Sequence, residues 1–559
     1  MKIQQCHKCH KNFTITNDDL DFYVKMAVPE PTLCPDCRQQ RRLAWRNERK
    51  LYQDKCDLCS KKMISLYAPE SPYKVYCQDC WWSDKWEPLD YSQDYDFSQT
   101  FFAQYHKLQL QVPRLALFNL HSTNSEYTNH SFNNKNCYMG VAFGTCEDCM
   151  YGMWVTHCRN CVDTLYTYDS ELCYECSYCL NCYATFFSQH CQQAKESFLC
   201  FECRDIEKCI ACVQLHHKKY HILNQPVSQE EFEKTKFELL VNPVKFQTMK
   251  KNYTALMMKA PRRYSLQINC ENCTGNDLYN CTNTKYSFNC RDSENSKYVY
   301  DLGCNKDCMD TYEHGWEVKS ELCYEAHAGM AGYNFKFCNI CADSRDLEYC
   351  DMCNQGCSDI FGGVCLKKQH YCILNKKYSE SDYKKLKEKI IEQMIKNKEY
   401  GEYFPMNLSP FNYNESVAPE YFPLKKDEAL ALGCKWLEEN QRDYQRQTCI
   451  VPNDIKKVEN NILEEILVCR NCHKNYKIIP QELAFYRQTS IPIPKFCSDC
   501  RHLERMKLRN PRALWKAQCM CTQPDHNHQG RCKNEFETTY SPERKELVYC
   551  KDCYNREIY

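Results

Sequence analysis

Short β-prone segments alternate with cysteine-containing turns through the middle of the chain. Three of them, at 150–155, 162–167 and 183–187, are rich in aromatic and apolar residues and lie between CxxC units. Helical periodicity with many charged residues follows at about 228–240 and again at about 379–399. The pattern therefore predicts a strand-rich centre in two parts, each followed by a helix.

The same pattern indicates where helices begin and which segments connect them. Ser228 and Ser379 are the predicted N-caps of the two charged helices, because acidic residues follow each of them in the first turn. An aromatic and acidic segment at 81–118 predicts a helix ending near Pro113, and 402–426 is a connector rich in proline and aromatic residues. Two further helices are predicted, at 427–447 and 454–467.

Two duplications organise the chain. The first relates the two ends at an offset of 463 residues, which aligns Cys6 with Cys469 and Arg46 with Arg509. The second lies in the centre, where SELCYE occurs at 170–175 and again at 320–325. The expected order is therefore a module, two related central copies and a second module. The predicted units are 1–80 and 468–559 (terminal modules, each with two cysteine sets), 119–240 and 241–400 (central copies), and 81–118 and 401–467 (connectors).

The cysteines of the first central copy recur regularly. The series Cys137, Cys149, Cys161, Cys173, Cys182, Ala194, Cys203 and Cys212 has intervals of 12 or 9 residues, with an alanine at one position. Taking every second position from Cys137 gives intervals of 24, 21 and 21 residues. This predicts a parallel β-helix whose thiols stack in ladders at two corners of each coil. The expected fold class is a multidomain, mixed α+β chain, in which four-cysteine modules at both ends flank a duplicated β-solenoid with short helices.

The cysteine content narrows the chemistry. The chain has 559 residues and 47 cysteines, and its 73 basic residues balance 73 acidic ones. Predominant CxxC spacing, the odd cysteine number and the lack of an apolar segment before Cys6 favour metal binding in the cytoplasm over secreted disulfides. The mean hydropathy is −0.72, and no stretch approaches the ~20 apolar residues of a membrane span, so we expect no membrane partner.

Paired CxxC units predict structural zinc sites, because zinc prefers four thiolates in a tetrahedron. Two clean sets are Cys6, Cys9, Cys34 and Cys37, and Cys56, Cys59, Cys77 and Cys80. Cys469, Cys472, Cys497 and Cys500 repeat the first set, and Cys519, Cys521, Cys532, Cys550 and Cys553 with His526 and His528 replace the second. These seven donors are too many for one zinc and one short for two closed sites, so the histidines are either ligands of a second metal or loop residues. We expect about four or more zinc ions per chain.

The central cysteines allow two interpretations. They are buried small thiols of the repeat, or adjacent coils assemble additional zinc or iron–sulfur ligands from runs such as 173–182 and 338–353.

The N-terminal pattern resembles the family of probable zinc-binding treble-clef domains, and so does the C-terminal copy. The residues that carry the resemblance are Cys6, Cys9, Phe13, Phe22, Tyr23, Pro31, Cys34, Cys37 and Arg38, with Asp19 and Glu482 at the acidic position of the two copies. The whole chain also resembles cysteine-rich zinc-ribbon proteins of candidate-phylum bacteria. The resemblance implies the metal ligands but no activity.

Two arginine-rich helix faces suggest nucleic-acid binding, with RNA favoured over DNA. These faces consist of Arg38, Arg42, Arg46 and Arg49, and of Arg501, Arg505, Arg509 and Arg512. The alternative is a solvated or salt-bridged face. A competing hypothesis is a protein-interaction or assembly scaffold, which the neutral charge and 41 tyrosines also fit. Exposed arginine faces would favour nucleic-acid binding, whereas arginine faces buried against the solenoid would favour the scaffold.

Enzymatic activity is the third hypothesis, and we expect none. A carbohydrate-active β-helix would require paired carboxylates. The candidates are Asp163, Asp169, Glu171, Glu175, Asp310, Glu321 and Glu325. Their recurrence at repeat positions favours a structural role.

Overall fold

The computed structural model describes residues 1–313, 318–438 and 444–559. This described part contains twelve α-helices. They are Asn17–Lys25, Pro35–Leu43, Gln78–Trp81, Phe101–Gln111, Gln229–Val241, Pro243–Lys259, Glu380–Lys396, Ala418–Tyr421, Lys426–Ala431, Pro480–Thr489, Ser498–Met506 and Lys551–Ile558. None of these helices is long and apolar enough to cross a membrane.

Residues 119–222, here called the first stack, form parallel strands that pair with the chain 12 residues further on. Met153 pairs with Leu165, which in turn pairs with Ser177. The longer coil predicted from the cysteine spacing is therefore wrong. The strands are Asn119–Leu120, Ser131–Phe132, Val141–Gly144, Met153–Thr156, Leu165–Tyr168, Ser177–Leu180, Arg204–Ile210 and His216–Ile222, with an antiparallel Gln225–Pro226.

Every third residue of the first stack points inward. Cys173, Cys176, Cys179 and Cys182 occupy the four interior positions of one turn, and all are buried. The thiols thus form four ladders rather than the expected two. The backbone also changes direction at every third residue. The residue at each of these corners lies in the left-handed region, for example Asn136 with φ 55°. Hydrogen bonds between parallel turns offset the conformational free energy that residues other than glycine require in the left-handed region.

The described residues of 267–373, here called the second stack, also pair in parallel and mostly 12 residues apart, but the pairs of Gln267 with Leu278, Asn305 with Ser320 and Arg345 with Ser358 have other separations. Phe288 pairs with Tyr300, at the same separation as the pairs of the first stack. Gly275 has φ +135° and its Cα lies against the Ser287 carbonyl, where a side chain has no room. The strands are Gln267–Ile268, Gly275–Tyr279, Ser287–Glu294, Lys297–Lys306, Met309–Tyr312, Ser320–Glu321, Met330–Lys336, Ala342–Glu348, Ser358–Phe361 and His370–Ile373, with an antiparallel Lys376–Lys377.

Hairpins and short parallel pairs complete the two ends. The hairpins are Lys2–Gln5 with Asn12–Ile15, Tyr52–Lys55 with Lys62–Ser65, Leu467–Val468 with Asn475–Tyr476, and Trp515–Gln518 with Glu535–Thr538. Val75–Tyr76 pairs in parallel with Arg114–Leu115, and Arg262–Arg263 with Val548–Tyr549. Short 3₁₀ turns lie at Pro88–Tyr91, Met406–Leu408, Tyr413–Glu415, Ile455–Lys457 and Asn460–Leu463.

Most of the predicted helices are confirmed. Ser228 and Ser379 accept the expected capping hydrogen bonds, and Phe101–Gln111 ends just before Pro113. The helix expected at 427–447 stops at Ala431, where Leu432 and Gly433 form a turn, and 439–443 lie outside the described residues. The prediction of a helix at 454–467 is wrong. This segment forms two 3₁₀ turns instead, and each turn buries one isoleucine, Ile455 or Ile462.

The two ends dock crosswise on the centre. Phe22 and Tyr23 of the N-terminal module pack on Tyr324 of the second stack, with ring centroids 5.8 and 5.6 Å away. The C-terminal module makes the matching contact with the first stack, through Phe485 and Tyr486 on Tyr174 at 6.1 and 5.9 Å.

Candidate metal centres

Site 1 is built from a hairpin and a helix. Cys6 and Cys9 lie in the turn between Lys2–Gln5 and Asn12–Ile15, whereas Cys34 is the N-cap of the helix Pro35–Leu43 and Cys37 lies in its first turn. The helix N-terminus favours negative charge at the two latter thiols. A hydrogen bond from Cys37 lowers the pKa of Cys34, which favours the thiolate form that zinc binds.

Sites 2 and 3 repeat this construction. Site 2 comprises Cys56, Cys59, Cys77 and Cys80, and site 3 comprises Cys469, Cys472, Cys497 and Cys500. In both, a hairpin turn supplies the first pair and the start of a helix supplies the second.

The sulfur spacing fits zinc. Thiolates about 2.3 Å from a tetrahedral metal would lie about 3.8 Å apart. The Sγ–Sγ distances are 3.6 Å for Cys9 and Cys34, 3.9 Å for Cys59 and Cys77, and 3.7 Å for Cys472 and Cys497. No disulfide competes for these thiols, since all 47 cysteines lie in the described residues and none of them forms a disulfide. Four protein thiolates leave no position for a substrate, so such sites are structural.

The C-terminal end holds two groups that share a residue. Site 4 comprises Cys519, Cys532, Cys550 and Cys553. The histidine group comprises Cys521, His526, His528 and, again, Cys553. The ligand atoms of each group lie within 4.8 Å of one another. Every metal ligand predicted from the sequence therefore lies in one of the five groups.

Sequence reasoning missed the amides that support these sites. Asn471 donates a side-chain hydrogen bond to the Cys500 sulfur at 3.4 Å, and Asn534 donates one to the Cys550 sulfur at 3.4 Å. Such donors stabilise a thiolate and fix its orientation. Asn471 lies inside the CRNC turn and could have been suspected, whereas nothing in the sequence around Asn534 indicates its role.

The central thiols are placed differently. Cys158 donates to the carbonyls of Thr156 and Thr167 at 3.3 and 3.4 Å, and its neighbours along the stack repeat this pattern. Among the described residues, no metal-compatible group includes a cysteine of either stack. The structure thus favours buried small thiols over additional zinc or iron–sulfur ligands.

The N-terminal arginine face is buried against the second stack. Arg38 and Arg42 both reach Asp310, at 2.8 and 3.3 Å, and Arg42 also reaches Glu325 at 3.0 Å. Arg46 is buried and pairs with Glu48 and Glu313. Arg49 keeps 15% of its side chain exposed and lies 3.3 Å from Asp499 of the other module.

Two arginines of the C-terminal face repeat these contacts on the first stack, whereas the other two contact the connector and the second stack. Arg501 and Arg505 both reach Asp163, at 2.7 and 3.0 Å, and Arg505 also reaches Glu175 at 3.1 Å. Arg509 donates to the Tyr421 hydroxyl, and Arg512 pairs with Asp301. The expectation that these faces are available to phosphates is therefore wrong, because tertiary partners neutralise and cover them.

The carboxylates considered for catalysis divide into two groups. Asp163, Glu175, Asp310 and Glu325 are the partners of the arginines. Burial raises the pKa of Glu325, and Arg41 and Arg42 oppose this shift. Asp169, Glu171 and Glu321 stay at least partly accessible on the stack sides.

The duplicated SELCYE motif now has a structural role. Its cysteine lies in the stack interior, and its tyrosine and glutamate contact a terminal module. These residues are Tyr174 and Glu175 in one copy and Tyr324 and Glu325 in the other.

Comparison with known proteins supports zinc binding at the N-terminus. No curated protein matches the chain. Residues 2–46, which contain site 1 and its arginine-bearing helix, match the model of a family described as a probable treble clef domain. The N-terminal end thus carries a probable treble clef domain, and the C-terminal end has cysteine groups of the same kind.

Proposed function

We propose that this protein is a non-enzymatic, zinc-dependent scaffold, in which two terminal modules clamp a duplicated β-solenoid whose sides bind a partner protein. The observation that carries the proposal is the burial of two arginines from each face, Arg38 with Arg42 and Arg501 with Arg505, on stack carboxylates. These arginines assemble the chain itself, and they leave the stack sides as the extended surface.

Zinc and docking are coupled in this proposal. Cys37 and Arg38 are adjacent on the helix Pro35–Leu43, as are Cys500 and Arg501 on Ser498–Met506. A metal that fixes the start of each helix therefore also fixes the direction of its arginines. Binding energy at such sites is folding energy, because the ligands are not preorganised without the metal. Four zinc ions, in sites 1 to 4, are required.

A protein partner fits the remaining surface better than a nucleic acid does. The formal net charge is zero, and the arginine clusters found in the sequence are neutralised internally. Large aromatic side chains are exposed on the stacks, including Tyr183 (45%), Tyr286 (39%) and Tyr333 (47%). Tyrosine contributes contact area and a hydroxyl, and it is enriched in protein interfaces. Free thiols on this scale fit a reducing compartment such as the cytoplasm.

Site-specific photocrosslinking in the host cell tests the proposal. A photoreactive phenylalanine analogue would replace Tyr183, Tyr286 or Tyr333, and Val24, which is 80% exposed on the N-terminal module, provides the control position. We expect discrete protein adducts from the stack positions and none from Val24. Adducts that are sensitive to ribonuclease would favour RNA binding instead. The absence of any stack-specific adduct would refute the scaffold.

A further inference from the structure

The sequence between the first two ligands of site 4 contains an insertion. In site 2 the first two ligands are Cys56 and Cys59, whereas in site 4 they are Cys519 and Cys532. The remaining spacing is unchanged, because the interval from Cys59 to Cys77 equals the interval from Cys532 to Cys550. The additional residues are thus confined to the first turn, and they carry Cys521, His526 and His528.

The inserted segment folds back on site 4 without helix or strand. Residues 519–534 contain only turns and bends, yet Cys521 and His526 are buried. The backbone N–H of Cys532 donates to the carbonyl of Cys521 at 2.9 Å, which closes the base of the segment. A short irregular segment with a buried imidazole needs a cross-link to hold it, and a metal ion supplies one.

The hydrogen bonds of His528 orient a free nitrogen lone pair. His528 Nδ1 lies 2.8 Å from the Gly530 carbonyl oxygen, which can only accept, so Nδ1 carries the proton. In the neutral ring Nε2 is then unprotonated, and among the described residues it is buried with no hydrogen-bond partner. Metal-binding histidines show this arrangement, in which one ring N–H donates to a carbonyl while the other nitrogen binds the metal.

His526 is oriented in the opposite sense. Its Nδ1 lies 3.2 Å from the Cys521 sulfur, and its Nε2 lies 3.7 Å from a carboxylate oxygen of Glu557. A tetrahedral zinc ion with one sulfur and one nitrogen ligand would hold these atoms about 3.5 Å apart. The carboxylate beside Nε2 favours a proton there and leaves Nδ1 facing the thiol.

We propose that the C-terminal end holds two zinc ions that share the thiolate of Cys553. Two tetrahedral sites need eight ligand positions, and seven donors fill them when one sulfur bridges. A thiolate sulfur has lone pairs for two metals, and Cys553 belongs to both groups. The first ion has four sulfur ligands, and the second has Cys521, Cys553, His526 and His528. The inference rests on zinc in site 4, which the proposed function already requires.

Elemental analysis of the full-length protein, purified under reducing conditions, gives the first readout. We expect five zinc ions per chain in the wild type and four in His526→Ala/His528→Ala. His7→Ala is the control, because His7 is exposed beside site 1 and outside every metal group; it should retain five. Four zinc ions in the wild type would overturn this inference but leave the scaffold proposal intact. Fewer than four would contradict both.

Replacement of zinc by ¹¹³Cd tests the shared sulfur directly. Two cadmium ions joined by one thiolate show scalar coupling to each other in the ¹¹³Cd spectrum. We expect one coupled pair among five resonances, and loss of that coupling in His526→Ala/His528→Ala. Five uncoupled resonances would show that the second ion binds without Cys553 as a bridge, which would refute the shared thiolate.

Discussion

Asp163 holds the C-terminal module on the first stack through two arginines at once. Its two oxygens lie 2.7 Å from Arg501 and 3.0 Å from Arg505, and all three side chains are at most 4% exposed. In Asp163→Ala, two guanidinium groups remain buried without this partner. Arg505 retains Glu175 at 3.1 Å, whereas the nearest carboxylate that Arg501 retains among the described residues is Glu482, at 3.5 Å.

The expected cost is large because the charges cannot regain water without moving the module. Breaking a buried ion pair by removing one partner costs about 3–5 kcal/mol. Since every 1.4 kcal/mol is a factor of ten, the module should open about 10² to 4 × 10³ times more often. The effect should be confined to the C-terminal module, because the N-terminal module docks on Asp310.

Hydrogen exchange followed by mass spectrometry measures this opening. We expect faster exchange in Pro480–Thr489 and Ser498–Met506, with unchanged exchange in Pro35–Leu43. Asp169→Ala is the matched control, because Asp169 lies on the same stack with 49% of its side chain exposed. Equal exchange in Asp163→Ala and in this control would show that the arginine contacts do not hold the module, and the scaffold argument would lose its main support.

Two further predictions concern zinc and pH. Cys34→Ser should lose one zinc ion and increase hydrogen exchange in Pro35–Leu43. Cys149→Ser should keep the full zinc content, because a serine hydroxyl can replace the thiol as donor to a stack carbonyl, as Ser170 shows with its 2.8 Å bond to Tyr168. Equal zinc loss in both variants would contradict the assignment of Cys34 as a ligand and Cys149 as a buried thiol. Burial raises the pKa of Asp277 to about 7. The fold therefore holds a proton that the unfolded chain has already released, and stability should fall by about 1 kcal/mol from pH 6 to pH 7.5. Asp277→Asn should remove this part of the pH dependence of the melting temperature, and an unchanged slope would refute it.

The metal ligands could be predicted because their chemistry is local. A CxxC pair brings two sulfurs to one metal whatever surrounds it, so the cysteines of sites 1 to 3 were identified from spacing alone. The coil length could not be read from the cysteines in the same way. The interior position recurs every third residue, but Thr164, Ser188 and Ala194 also occupy it. Counting only thiols therefore gave an irregular and longer period.

The role of the arginines could not be predicted from periodicity. Arginines spaced by four residues look the same on a solvated helix and on a helix that docks on carboxylates. Only the fold shows that Asp310 and Asp163, which are far from Arg38 and Arg501 in the sequence, lie opposite them. A sequence signal was nevertheless present, because the motif containing Glu175 and Glu325 occurs twice, as the arginine helices do.

The crosswise docking makes the two ends unequal during synthesis. Arg38 and its partner Asp310 are separated by 272 residues, which a ribosome adding about 5–20 residues per second needs roughly 15–50 s to make. Throughout this delay the arginines of the N-terminal helix lack the stack carboxylates that later cover them. The C-terminal helix emerges when Asp163 has long been in place, 338 residues earlier. A newly made chain therefore passes through a stage at which its first module is available to a chaperone or an anionic polymer, and the completed protein withdraws that surface.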